Sequence, residues 1–212
     1  MTDQDLIALL LRSEVLIRNK HFVLDPDTHS SEFIDEDAAF TARELRAAMV
    51  PMLLRLVPPY AGTFLATADA NIILATMLAV ELSRQNGVPA PLSAYAWLDE
   101  RGRFTVSPSF AVAIHRHSVI VVSFLVDSME TCSALVDLIL SLDGVPVQIV
   151  AVWNTTGIRQ TKQGVNIKAL IEEPLYTFPA AACPLCESGV PIDTRHGHGT
   201  EYLETLDMLS DQ

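Results

Sequence analysis

The sequence predicts an α/β fold, a mostly parallel central sheet flanked by helices, with an N-terminal hood made of one helix and a hairpin. Three observations predict it. Residues 119–126 are an unbroken apolar run rich in β-branched side chains, too short for an ordinary helix and suited to a strand covered on both faces. Asp127 and Ser128 break the run, after which Leu135, Leu138, Ile139 and Leu142 recur at helical spacing and Gly144 supplies a stop. A second apolar run over residues 145–152 then completes a βαβ unit. Its polar loop lies at the carboxyl end of the first strand, where ligands bind in open α/β sheets.

The remaining elements follow in order. Leu6, Leu9, Leu10, Val15, Leu16 and Ile17 suggest an amphipathic helix over residues 5–20, entered through Thr2 and Asp3. Residues 21–24 read as a short strand, 25–31 as a turn cluster and 32–35 as the returning strand of a hairpin. Thr41, with Glu44 three residues on, has the form of a capping box for a helix reaching Leu56, ended by Pro58 and Pro59. A small strand over 61–66, a loop over 67–71, a strongly apolar helix over 72–85 and a strand over 92–97 come next. Residues 99–103 are a charged turn or flexible loop, and 104–106 and 111–114 read as short strands around Pro108. Residues 154–164 are polar and 167–175 apolar again. The boundaries drawn from this pass are a hood over 1–40, an α/β core over 41–176 and a tail over 177–212.

A chain of 212 residues, half of them apolar, can bury one good core and a small appendage. No apolar segment reaches the roughly 18 residues that span a bilayer, and the start, Met-Thr-Asp-Gln-Asp, lacks a basic signal region. A soluble, cytoplasmic protein without membrane attachment is expected. The net charge of −12, from 26 acidic and 14 basic residues, disfavours nucleic acid as a partner. Three cysteines give no disulfide framework; Cys132 lies in the loop-to-helix stretch after the central strand, and Cys183 and Cys186 form a Cys-x-x-Cys near the end.

Four stretches resemble the type I phosphoribosyltransferases, above all their orotate branch, over roughly residues 5–192. Residues 19–35 follow the family's early hairpin pattern, with Phe22, Leu24, Ser30, Phe33 and Asp35 in place. Residues 66–75 sit where the family has a Gly-rich pyrophosphate loop opening a helix. The central strand, loop and helix sit at its phosphoribosyl-pyrophosphate signature. Residues 178–192, containing Cys183-Pro-Leu-Cys186, resemble the tail of a bacterial subgroup of orotate-type homologues. The resemblance implies transfer of ribose 5-phosphate to a base with Mg²⁺, and a homodimer; a heteromer with an active paralogue is the alternative assembly. It also implies a nucleotide or phosphoribosyl ligand.

Several residues depart from what that reaction requires. The family's hairpin lysine is Asp25, its Gly-Gly is Ala70-Asn71, and its acidic pair retains at most Asp127. Its Thr/Gly-rich loop is Ser128-Met-Glu-Thr-Cys132, free of glycine and carrying an added anion, Glu130. The basic flexible loop is reduced to residues 99–103. A fold kept with a decayed site is therefore expected, in a regulatory, ligand-binding or scaffold subunit. A divergent active transferase and a zinc-stabilised interaction module are the alternatives.

The candidate site residues are Asp127, as catalytic carboxylate if activity survives, and Asp127, Ser128, Thr131, Ser133 and Asn71 as ligand contacts. Asp127, Ser128, Thr131 and Ser133 are equally the residues of an ordinary helix entry. Cys183, Cys186, His196 and His198 are candidate ligands for a structural zinc ion, with a thiol pair or a redox pair as the competing readings. His115 and His117 read as exposed turn residues.

Overall fold

In the computed structural model, which describes residues 2–67, 70–87 and 89–210, the chain divides into two units, Met1–Thr41 with Leu175–Gln212, and Ala42–Pro174. The first begins with helix α1 (Asp3–Arg12), where Thr2 and Asp5 cap each other's backbone N–H groups in a capping box. The helix buries Leu6, Ile7, Leu9 and Leu10. It stops well short of Lys20, because Glu14 takes a left-handed φ of 55° and the consecutive apolar residues 15–17 suit a strand better than a helical stripe. Strand β1 (Leu16–Asp25) pairs antiparallel with β2 (Thr28–Ile34), so the hairpin is longer and its turn tighter than the turn cluster suggested. Asp25 Oδ1 accepts the Asp27 N–H at 2.9 Å and holds the turn.

Asp35 caps a short helix, α2 (Glu36–Thr41), through the Ala38 N–H. The expected capping box at Thr41 does not form. The Thr41 hydroxyl donates instead to the Ala38 carbonyl, and α3 (Arg43–Leu54) starts after Ala42 without a side-chain cap.

The second unit is built on a six-stranded sheet. After α3 come β3 (Thr63–Thr67), α4 (Ala70–Asn86), β4 (Leu92–Leu98) and β5 (Phe104–Thr105), followed by α5 (Pro108–Ile114), β6 (Ser118–Val126), α6 (Met129–Ser141), β7 (Val145–Asn154) and β8 (Asn166–Ile171). The strand order is β5-β4-β3-β6-β7-β8, parallel throughout except for β5, which returns antiparallel on β4. The expected mostly parallel sheet flanked by helices is thus present. Residues 111–114 are helical, not extended: Ser107 caps the Phe110 N–H and Pro108 sits in the first turn, a helix start that overrides the β-branched residues behind it.

Val119, Val121, Val126, Leu135, Val136, Ile139, Ile149 and Ile167 pack in one buried cluster. Gly144, after α6, lets the chain pass Ile114 and Ile139; a Cβ there would stand 2.7 Å from one isoleucine methyl and 2.9 Å from the other.

The chain then returns to the first unit. Strand β9 (Thr177–Pro179) pairs antiparallel with β2, with His29 opposite Phe178, and is followed by the short helix α7 (Pro184–Glu187) and by α8 (Gly199–Ser210). The sequence reading did not foresee α8.

Candidate functional site

The sheet order places a topological switch between β3 and β6. From β3 the chain crosses through α4 to β4 on one side, and from β6 it crosses through α6 to β7 on the other. The carboxyl ends of β3 and β6 therefore border the crevice where an open α/β sheet binds its ligand. The loop after β3 contains Ala68 and Asp69, which lie outside the described residues; the loop after β6 is Asp127-Ser128.

Asn71, in the first turn of α4, is 9% exposed and spans this crevice. Its Oδ1 accepts the Phe124 N–H of β6 at 2.5 Å, and its Nδ2 donates to the Thr67 hydroxyl of β3 at 3.0 Å. Both ends of the carboxamide are thus engaged by the protein. Ala70 beside it is buried.

Asp127 is exposed at the end of β6. Ser128 is the N-cap of α6 and accepts the Thr131 N–H at 3.2 Å, which satisfies one of the backbone donors an anion would need. Glu130 stands exposed in the first turn, where its charge favours the helix and opposes a bound phosphate. Thr131 is partly buried, and Ser133 is buried with no hydrogen-bond partner for its Oγ among the described residues. Cys132 is buried and its thiol pushed up to about 11, by burial first and by the charge of Asp127 second.

On the neighbouring strand end, Asn154, Thr155 and Thr156 form a polar turn closed on itself. Asn154 Oδ1 accepts from the Thr156 N–H and hydroxyl, and the Thr155 hydroxyl donates to the Val126 carbonyl. The charged loop 99–103 is a tight turn: Asp99 Oδ1 accepts the N–H groups of Arg101 and Arg103, and Oδ2 pairs with the Arg103 guanidinium at 3.2 Å. An open groove of about 880 Å³ between α3 and α4, lined by Val50, Ile72, Ile73, Met77 and Val80 among others, is a separate feature of the same unit.

In the first unit, the two tail cysteines meet two histidines of the hairpin. Ligand atoms of His21, His29, Cys183 and Cys186 all lie within 4.8 Å of one another. His21 and Val23 share a face of β1, and Val23 pairs with His29, so the two imidazoles are diagonal neighbours with ring centroids 4.9 Å apart. Pro184 opens the short α7, whose turn brings residues 183 and 186 to one side. Burial, and then the nearby His21, hold His29 below the ordinary histidine value, which favours the neutral, metal-binding imidazole.

His196 and His198 are not members of this group. His196 Nδ1 sits 2.9 Å from Asp193 Oδ1, its ring packing on Phe22 and Phe33. His198 is exposed, and its N–H donates to the Val23 carbonyl as Gly197, at φ 65°, presses the backbone onto β1. Sequence reasoning missed His21 and His29 because their separation of eight residues signals nothing until the hairpin register is known. His115 and His117 are exposed in the turn before β6.

No family model matches the chain. In sequence it is 27% identical over 192 residues to orotate phosphoribosyltransferase from Carboxydothermus hydrogenoformans, covering 89% of this chain and 94% of the relative. In structure it is similar to orotate phosphoribosyltransferase from Aeropyrum pernix, with a TM-score of 0.63 at 16% identity, covering 79% of this chain and 93% of that one. Adenine phosphoribosyltransferase from Leishmania tarentolae superposes with a TM-score of 0.58 at 16% identity, over 82% and 90% of the two chains. The chain thus has the type I phosphoribosyltransferase fold and is similar in sequence to an orotate phosphoribosyltransferase over nearly its whole length.

Proposed function

We propose that this protein has kept the phosphoribosyltransferase fold without its catalysis and acts as a regulatory, ligand-binding or scaffold subunit. The observation that carries the reading is the stretch Asp127–Ser133. It holds no glycine, a single carboxylate (Asp127) ahead of the helix and a second, exposed one (Glu130) in the helix's first turn, and Ser128 caps its own helix. Phosphate contacts are charge-assisted hydrogen bonds worth ~1.5–3 kcal/mol each, so losing several removes most of the affinity for a pyrophosphate. The engaged Asn71 carboxamide, the Asp99–Arg103 pairing and Asp25 in place of the family's lysine support the same reading.

Calorimetric titration tests it. The purified chain is titrated with phosphoribosyl pyrophosphate and Mg²⁺, and separately with orotate and orotidine monophosphate. The expected result is no binding of phosphoribosyl pyrophosphate; micromolar binding overturns the reading.

One observation favours a second reading, a divergent active transferase that uses Mg²⁺ and phosphoribosyl pyrophosphate. Asp127 is exposed at the carboxyl end of β6, where a carboxylate would hold the ribose hydroxyls. That reading requires turnover that falls in Asp127→Ala. Under either reading a homodimer, or a heteromer with an active paralogue, is the proposed assembly, in the cytoplasm. Light scattering and co-purification test the assembly.

A further inference from the structure

We infer that His21, His29, Cys183 and Cys186 form a closed, structural site for one tetrahedral zinc ion, which ties the C-terminal segment to the hairpin. This inference is independent of whether the phosphoribosyl-pyrophosphate site binds.

The distances carry it. With Zn–N of about 2.0–2.1 Å and Zn–S of about 2.3 Å, a tetrahedron has edges of about 3.3 Å between nitrogens and about 3.5 Å between nitrogen and sulfur. Here His21 Nε2 and His29 Nδ1 are 2.9 Å apart, Cys183 Sγ is 3.6 Å from His21 Nε2, and Cys186 Sγ is 3.7 Å from His21 Nε2 and 3.3 Å from His29 Nδ1. These three of the four nitrogen–sulfur edges are already those of a metal site, and all four ligand atoms lie within 4.8 Å of one another. The nitrogen pair has to open by only about 0.4 Å to reach the tetrahedral edge.

The surroundings favour the same assignment. His21 Nδ1 lies 2.9 Å from the Val190 carbonyl, which selects the tautomer with a proton on Nδ1 and points the Nε2 lone pair into the cluster. Tyr202 packs edge-on against His29 at 4.9 Å between centroids and fixes that ring. His21, His29 and Cys183 are each no more than 1% exposed. Burying three such groups beside the exposed Cys186 is costly when they have chiefly one another as partners, and a cation at their centre gives each of them a partner. Two sulfurs and two imidazoles select zinc over the oxygen-seeking Mg²⁺ or Ca²⁺, and four protein ligands leave no open position for a catalytic water. Binding joins His29 to Cys183 across most of the chain, displacing the protons held by the two thiols.

The full-length chain, purified without chelator, is expected to carry about one zinc per chain by elemental analysis. After stripping, it should take up Co²⁺ with the visible bands of a tetrahedral ion and thiolate-to-cobalt charge transfer. A stripped chain that binds neither metal, or binds Co²⁺ without the charge-transfer band, overturns the inference. His29→Ala and Cys186→Ser should lose the ion, whereas His198→Ala should retain it. Retention in a folded His29→Ala chain together with loss in His198→Ala would overturn the ligand set. If His29→Ala fails to fold, the cobalt spectrum of the unsubstituted chain remains decisive.

Discussion

Asn71→Ala separates a structural role for the carboxamide from a ligand-binding one. The substitution removes the acceptor that Oδ1 offers to the Phe124 N–H at 2.5 Å and the Nδ2 donor to the Thr67 hydroxyl at 3.0 Å. At a net ~0.5–1.5 kcal/mol per hydrogen bond, the loss is about 1–3 kcal/mol. For a chain of this size, that lowers the thermal midpoint by about 2–12 °C. Both tryptophans, Trp97 and Trp153, lie in the unit that contains Asn71, so intrinsic fluorescence during heating reports the relevant transition. Thr67→Val removes only one of the two bonds and should cost about 0.5–1.5 kcal/mol. The double variant should cost little more than Asn71→Ala alone, because the Thr67 bond is shared. An Asn71→Ala chain that melts with its parent would refute the stitch between α4 and the two strands, and would return Asn71 to the ligand-binding candidates.

Three further outcomes follow from the structure. Cys132, buried with its thiol at about 11, should be almost wholly protonated near neutral pH and resist iodoacetamide until the chain unfolds; rapid alkylation of the native chain, mapped by mass spectrometry, would contradict its burial. Gly144→Ala drives a methyl group against Ile114 and Ile139 and should cost about 1–3 kcal/mol in urea unfolding, whereas an unchanged midpoint would mean the loop yields freely. Burial alone would raise the Asp193 carboxyl, but hydrogen bonds from His196, Lys20 and the Arg195 N–H outweigh it and hold the group well below the ordinary 3.8. A carboxyl held low in the fold stabilises it above the unfolded value, and that stabilisation is lost as pH falls through and below about 4. Asp193→Asn should therefore narrow the difference in melting temperature between neutral and acidic pH; an unchanged difference would refute the coupling.

The parallel sheet was legible because its strands carry their own signal. Residues 119–126 and 145–152 are continuous apolar runs, and only a strand covered on both faces uses such a run fully. Helix ends were less legible. The apolar stripe from Leu6 runs on through Ile17 in the sequence, and nothing local announces that Glu14 takes a left-handed conformation. At residues 108–114, Ser107 and Pro108 are a readable helix start, but β-branched and aromatic neighbours concealed it. In the tail, the Cys-x-x-Cys was visible as a pair because its members are three residues apart. His21 and His29 are separated from it by most of the chain, and their meeting depends on β9 pairing with β2. His196 and His198 were the nearer histidines in sequence, but Asp193 and the close approach at Gly197 commit that segment to packing.

Under the proposed function, the loop after β6 is where the fold outlasts a phosphate site. A helix N-terminus attracts anions because its first N–H groups lack partners and its dipole is positive there. In this chain Ser128 supplies an acceptor for one of those N–H groups and Glu130 an internal anion, so α6 partly satisfies its own start. Ser128→Ala should cost about 0.5–2 kcal/mol, the usual loss of an N-cap, measured as a lower urea midpoint. A phosphate-binding loop gains nothing from such a cap, since one of the donors it would use is then occupied. If Ser128→Ala is instead neutral in stability and raises the affinity for inorganic phosphate, the N-terminus of α6 is still an anion site held closed by one hydroxyl. Stability lost with no phosphate bound is the outcome expected of a helix start that serves the sheet alone.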